Sequence, residues 1–235
     1  MDRQGRMYFS GTPRTSSDAD GIDSVPLLRL ARGSGKLDTV ATLGVPVRVA
    51  GAPPGAFPAT DAWAVGENGD VFVARAGSAR VDVNPRGATV SLALPARRVP
   101  VAEWHRQLWL SWKNATPQMI MGIDAQGTRK VFAASARRTL RTDKDYRWPK
   151  FLPPFVGDAP LVAAPSGEVW VQVAPQNEKN PVEYAILSSR ASPYSRARFP
   201  AGTRLLGFGA RGLYAARATA DGLQQLLYYD YPSRD

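Results

Sequence analysis

The sequence predicts an all-β chain, a β-propeller of about four four-stranded blades with one partly helical insertion, and three observations predict it. A segment repeats along the chain, each repeat holds a turn glycine, and the strand after that glycine is apolar at successive positions. Trp63-Ala-Val-Gly-Glu-Asn-Gly69-Asp-Val-Phe-Val-Ala-Arg75, Leu161-Val-Ala-Ala-Pro-Ser-Gly167-Glu-Val-Trp-Val-Gln-Val173 and Leu206-Gly-Phe-Gly-Ala-Arg-Gly212-Leu-Tyr-Ala-Ala-Arg217 can be laid over one another. A fourth copy starts late, at Gly5-Arg6-Met7-Tyr8-Phe9-Ser10. The spacing of about 45 residues between Gly167 and Gly212 is blade-sized.

The physics behind the repeat is simple. A turn glycine tolerates positive φ and lets two strands pair as a hairpin. A strand with one wet face alternates in polarity. Val71-Phe72-Val73 and Val169-Trp170-Val171 do not, so both their faces are expected to be covered. Radially packed blades cover both faces of each sheet.

Each hairpin is followed by a second strand pair. In the first blade, about 1–48, it is Pro26–Leu30 and Asp38–Leu43 around Gly33-Ser34-Gly35. In the second, about 56–95, it is Arg80–Asn84 and Thr89–Leu94 around Pro85-Arg86-Gly87. The third, about 156–200, has Glu183–Leu187 and Arg196–Phe199, and the last, about 201–233, has Gln225–Tyr229. The interval from Gly69 to Gly167 is about twice the repeat, and the excess, about 96–155, reads as the insertion. There Trp104, Leu108 and Trp112 fall on one face of a helix, a strand pair is expected at Met119–Ile123 and Arg129–Ala133, and Trp148–Phe155 is a Pro-rich lead-in to the third blade.

The blade strands, this insertion, Pro153-Pro154-Phe155 and the closing Gly207-Phe-Gly-Ala-Arg-Gly-Leu-Tyr214 with Asp221-Gly-Leu-Gln-Gln-Leu226 resemble the C-terminal part of bacterial six-bladed β-propeller proteins, NHL/TolB-like in fold. The resemblance spans most of the chain, and its motifs are structural rather than catalytic. It implies an extracytoplasmic location for a longer, exported protein. This chain instead begins inside a blade, and is expected to lack the early blades and an export signal. Unpaired blade edges would then permit self-association.

Composition narrows the function. Without cysteine, disulfides, thiolate catalysis and Cys-ligated metal sites are excluded. The single histidine, His105, excludes sites needing two imidazoles and would have to serve any Ser-His-Asp arrangement, with no nucleophile motif nearby. Thirty Lys+Arg against twenty Asp+Glu give a net charge of +10, which favours polyanions. Yet no run reaches five like charges, which argues against specific nucleic-acid recognition. No stretch is long and apolar enough for a membrane span.

Two groups stand out as candidate sites. Trp104, His105, Trp109 and Trp112 crowd the insertion, where aromatic rings beside cations can stack on sugars or bases; the plainer reading is a satellite core with a packed or capping histidine. Asp18, Asp20 and Asp23 flank Gly21 and could hold calcium, although their spacing fits no standard loop and a solvated acidic turn explains them as well. Gly207-Phe-Gly209-Ala-Arg-Gly212 satisfies a dinucleotide fingerprint, but a strand follows it where the fingerprint needs a helix. Gly33-Ser-Gly35-Lys36 reads as a hairpin turn, since Leu30 and Leu37 replace the glycine and hydroxyl of a phosphate loop. The functional expectation is a non-enzymatic binding or scaffold module for a protein, small-molecule or polysaccharide ligand. The alternative is a metal-dependent six-bladed hydrolase or lactonase, against which stands the lack of a repeated acidic residue in the innermost strands.

Overall fold

The computed structural model describes residues 1–11, 22–33, 35–46, 52–84, 89–115, 119–123, 129–133, 140–157, 159–176, 181–188, 194–218 and 223–230. It divides into two compact units. Met1–Arg48, Pro58–Val99 and Phe151–Asp235 form the first, and Val49–Phe57 with Pro100–Lys150 form the second. The helical unit is thus assembled from the expected insertion and from a piece of chain that precedes the second blade.

The first unit holds four antiparallel meanders in chain order. The first sheet is β1 (Met7–Ser10), β2 (Ile22–Leu30) and β3 (Leu37–Pro46); the second is β4 (Ala62–Val65), β5 (Val71–Arg75), β6 (Arg80–Asn84) and β7 (Val90–Ala93). β8 (Met119–Ile123) and β9 (Arg129–Ala133) belong to the second unit. The third sheet is β10 (Leu161–Ala163), β11 (Val169–Gln172), β12 (Val182–Leu187) and β13 (Ser195–Phe199), and the fourth is β14 (Thr203–Phe208), β15 (Gly212–Ala218) and β16 (Gln224–Asp230). Two sheets have four strands and two have three among the described residues.

Side-chain alternation sorts each strand between two seams. In β5, Val71 and Val73 join Val25, Leu27 and Leu43 of the first sheet, while Phe72 and Ala74 join Val169, Val171, Ala185 and Leu187 of the third. Trp170, between the two valines of β11, turns the other way and packs with Leu205, Leu213 and Phe208 of the fourth sheet. Val73, Val81, Val169 and Val171 lose all exposure, each worth about 1.5–3 kcal/mol. First strands also lie side by side, with β10 next to both β4 and β14. Meander sheets stacked face to face in chain order, with their first strands adjacent, are β-propeller blades.

The turn glycines justify the repeat and correct one register. The N–H of Gly66 donates to the carbonyl of Asp70 (2.8 Å) and that of Gly69 to the carbonyl of Gly66 (2.9 Å). Ala164, Gly167 and Glu168 repeat the pattern at 2.8 and 3.0 Å, and Asp2, Gly5 and Arg6 repeat it at 3.2 and 2.9 Å. All three glycines have positive φ. β1 therefore stands where β5 and β11 stand. Gly212, aligned with these glycines on sequence, does not share their role. The fourth turn is one residue shorter, closed by Gly209 N–H to the Gly212 carbonyl (2.7 Å), so Gly212 opens β15 in the place of Asp70. Its lack of a side chain matters for clearance, because a Cβ would collide with the Tyr229 carbonyl and the Tyr228 ring.

Polar ties join neighbouring sheets. Arg75 donates from Nη1 to the Thr42 carbonyl (2.6 Å) and to Asp61 (2.8 Å), and from Nε to Asp82 (2.7 Å). Asp61 also accepts from the N–H groups of Gly44 and Ala76, both at 2.9 Å. Burial pushes the Asp82 carboxyl up, but hydrogen bonds from Arg75 and Ser91 and the charges of Arg75 and Arg80 outweigh it, holding Asp82 below the ordinary aspartate value. In Asp2 burial is likewise outweighed, by the Arg6 N–H and guanidinium and the Tyr8 hydroxyl. Between the third and fourth sheets, fully buried Tyr184 accepts from the Leu205 N–H (3.0 Å), and its hydroxyl donates to Gln172 Oε1 (3.1 Å).

No helix among the described residues is long and apolar enough to cross a membrane.

Candidate binding site on the helical unit

The second unit is organised by α1 (Glu103–Ala115), whose ends suit the helix dipole with Glu103 in the first turn and Lys113 in the last. Its start is closed by histidine. The Ala102 carbonyl accepts from the N–H groups of His105 (3.1 Å) and Arg106 (3.4 Å), while the Ala102 N–H donates to His105 Nδ1 (2.9 Å). This is the back-reaching half of a capping box, with an imidazole where glutamate or glutamine usually sits; Ala102 has no side-chain acceptor to complete the other half. Accepting at Nδ1 requires that nitrogen to be unprotonated.

Two remote pieces, around Phe57 and around Tyr146–Trp148, meet the buried side of the helix. Phe57 lies 4.8 Å from Trp109, 6.0 Å from Trp148 and 6.5 Å from His105, ring centroid to centroid. Tyr146 completes the knot at 6.0 Å from Trp109 and 5.9 Å from Trp148. Backbone bonds hold these pieces in place: Ala56 N–H donates to the Arg147 carbonyl and Arg147 N–H to the Pro54 carbonyl, both at 3.0 Å. Trp148 Nε1 donates to the Asp143 carbonyl (3.0 Å). Phe57 takes this place with φ at +47°, a conformation costing a non-glycine residue on the order of 1 kcal/mol, which its ring contacts offset.

The face that packs lies one step along the helix from the expected row. Trp104, Leu108 and Trp112 do line up, but Leu108 is 61% and Trp112 42% exposed, and the packed face runs through His105 and Trp109. The choice follows from Phe57, Tyr146 and Trp148, which supply rings to that side and not to the other. Trp104 lies against His105, centroids 3.5 Å apart and planes at 33°. Trp109 and Trp112 meet edge to face at 5.3 Å, and Lys113 Nζ sits 4.7 and 4.1 Å from their centroids. Arg106 covers Trp148 at 5.5 Å. The four predicted aromatic residues therefore share one helix. Two of them, His105 and Trp109, serve the interior, whereas Trp112 presents half its surface beside a cation.

Elsewhere the predictions divide. Asp18 and Asp20 lie outside the described residues. Asp23 sits in β2 opposite Val45 and is buried. No group of three acidic or histidine side chains among the described residues is placed to hold a metal ion. Gly33 and Gly35 lie in the β2–β3 connection at positive φ, and the Gly207–Gly212 stretch runs from one strand into the next. The Asn114 side-chain amide, which opens a sequon pattern, exchanges two hydrogen bonds with the Arg141 backbone (2.9 and 3.1 Å). Sequence reading missed Phe57 and Tyr146, which carry no periodic signal, and the Arg75 cluster, whose members lie in three separate stretches.

No family model matches the chain, and no curated protein matches it. Solved structures give a weak likeness. A catalytically inactive virginiamycin B lyase from Staphylococcus aureus with quinupristin is 9% identical, with a TM-score of 0.29; the match covers 97% of this chain and 75% of that one. The selenomethionine-substituted form of the same enzyme is 11% identical at a TM-score of 0.28, with the same coverage. Likeness at this level says nothing about activity.

Proposed function

We propose that this chain is a non-enzymatic binding module on a propeller scaffold, with ligand contacts on the outward face of α1, and that the NHL/TolB-like six-bladed proteins it resembles are its kin. One observation carries the reading: the chemistry-bearing groups are divided by role. Asp2, Asp61 and Asp82 are held by guanidinium groups and backbone N–H donors inside the blades, as structural ties are. Trp112, by contrast, offers an aromatic face to solvent next to Lys113. A ring paired with a cation suits an acidic sugar, by stacking and by charge.

Heparin oligosaccharide is the probe. Saturable quenching of tryptophan fluorescence is expected, weakening as salt rises and falling at least several-fold in Trp112→Ala. Absence of quenching, or equal quenching in the variant, would remove the reading. A thermal shift with calcium would favour a metal-dependent hydrolase instead.

A further inference from the structure

The internal seams of the first unit follow a rule, and the two ends of the stack break it in complementary ways. The aromatic residue at the centre of each blade's second strand faces the following blade. Tyr8 packs with Val71 and Val73 of the second sheet, Phe72 with Val169 and Val171 of the third, and Trp170 with Leu213 of the fourth. The receiving positions are the two neighbours of the next aromatic: Val71 and Val73, Val169 and Val171, Leu213 and Ala215, all buried.

At the end of the stack the fourth aromatic, Tyr214, is 41% exposed. It shares its face with its cross-strand partner Tyr228, 5.2 Å away between ring centroids, and with exposed Leu226 opposite Ala216. At the start of the stack the receiving positions are Met7 and Phe9, 50% and 39% exposed. They share their face with Leu28 and Leu30, and Leu37 lies opposite Leu30. One chain therefore carries both halves of a seam that it makes three times internally, and among the described residues both halves expose large apolar side chains.

We propose that a second copy of this chain covers them, the Tyr214–Tyr228 face of one copy packing on the Met7–Phe9 face of the other, head to tail. The contact continues the internal seams, so its chemistry is already tested three times within the fold. It is heterologous: it closes into a ring or runs on into longer assemblies. It differs from association by strand edges, because side-chain faces carry it and backbone pairing does not. It is also independent of any ligand on α1.

Sedimentation velocity tests it with the full chain, its Tyr214→Glu and Phe9→Glu variants, and an equimolar mixture of the two. The wild type is expected above the 25.4 kDa monomer mass. Each variant alone should fall to monomer, because each homotypic contact has one spoiled half. The mixture should recover association, because an intact Tyr214 face then meets an intact Phe9 face. Hydrogen exchange on the wild type provides a check independent of the variants' folding: β1 and β15–β16 should lose protection together on dilution. A wild-type monomer, a larger mass unmoved by either substitution, a mixture that stays monomeric, or exchange independent of concentration would each overturn the proposal.

Discussion

The blade stack and the aromatic knot on α1 bury hydrophobic rings and chains by opposite means. In the stack, short strands alternate, so each residue's face is fixed by its parity, and Phe72 and Val73 are committed to different seams by one step along the chain. In the knot, Phe57, Trp109, Tyr146 and Trp148 come from three separate pieces and are fixed by a helix, a parallel bridge at Gly55 and Arg147, and a strained Phe57. Repetition makes the first cooperative over many residues. The second is a local arrangement that stands or falls on a few rings.

That contrast can be broken or sharpened by substitution. Leu27→Ala removes a fully buried side chain from the first seam, and should lower the stability of the blade transition by about 4 kcal/mol, measured by denaturant unfolding. Arg75→Ala leaves Asp61 and Asp82 facing each other without their shared cation; a loss of about 3 kcal/mol is expected on the same transition, shrinking below the usual aspartate pKa. Tyr184→Phe keeps the ring and orphans the Leu205 N–H, at about 2 kcal/mol. Trp109→Ala should leave the blade transition within about 0.5 kcal/mol of wild type while near-ultraviolet circular dichroism loses the part of its aromatic signal that comes from the knot. A full-sized shift of the blade transition in that variant would show the two regions to be one cooperative body.

Acid offers the mildest probe. Asp2 and Asp82 are held below the ordinary aspartate value, so the folded state binds protons less readily than the unfolded chain. Their contribution is complete above the unfolded aspartate pKa and is lost as pH falls through the folded one. Asp82→Asn should therefore flatten the acid side of the stability profile and leave its neutral-to-alkaline side parallel to wild type.

What the sequence made legible follows the same division. Short, continuously apolar strands broken by glycine turns made the sheets legible, as did the pairing of Met119–Ile123 with Arg129–Ala133, because local pattern determines them. The Gly212 register slipped because Gly209 and Gly212 keep the spacing of Gly66 and Gly69, although the shorter turn puts Gly212 in the role of Asp70. The helix was visible, but its buried side was not. Trp104, Leu108 and Trp112 are as apolar as the face through Trp109, and only rings from distant segments decide between them. The Arg75 cluster escaped for a related reason, since Asp61 before β4, Arg75 at the end of β5 and Asp82 on β6 become neighbours only through the sheet.

Gly69 and Gly167 occupy equivalent turns, yet they should drift differently over evolutionary time. Around Gly167 the space for a Cβ is empty, so asparagine, which tolerates the left-handed region, can replace it at the cost of modest strain. At Gly69 the same atom would displace the Arg6 guanidinium and crowd Asp2, so one substitution would undo the ion pair of the neighbouring turn. Among orthologues, variation at the first position should be coupled to changes at both partners, while the second varies alone.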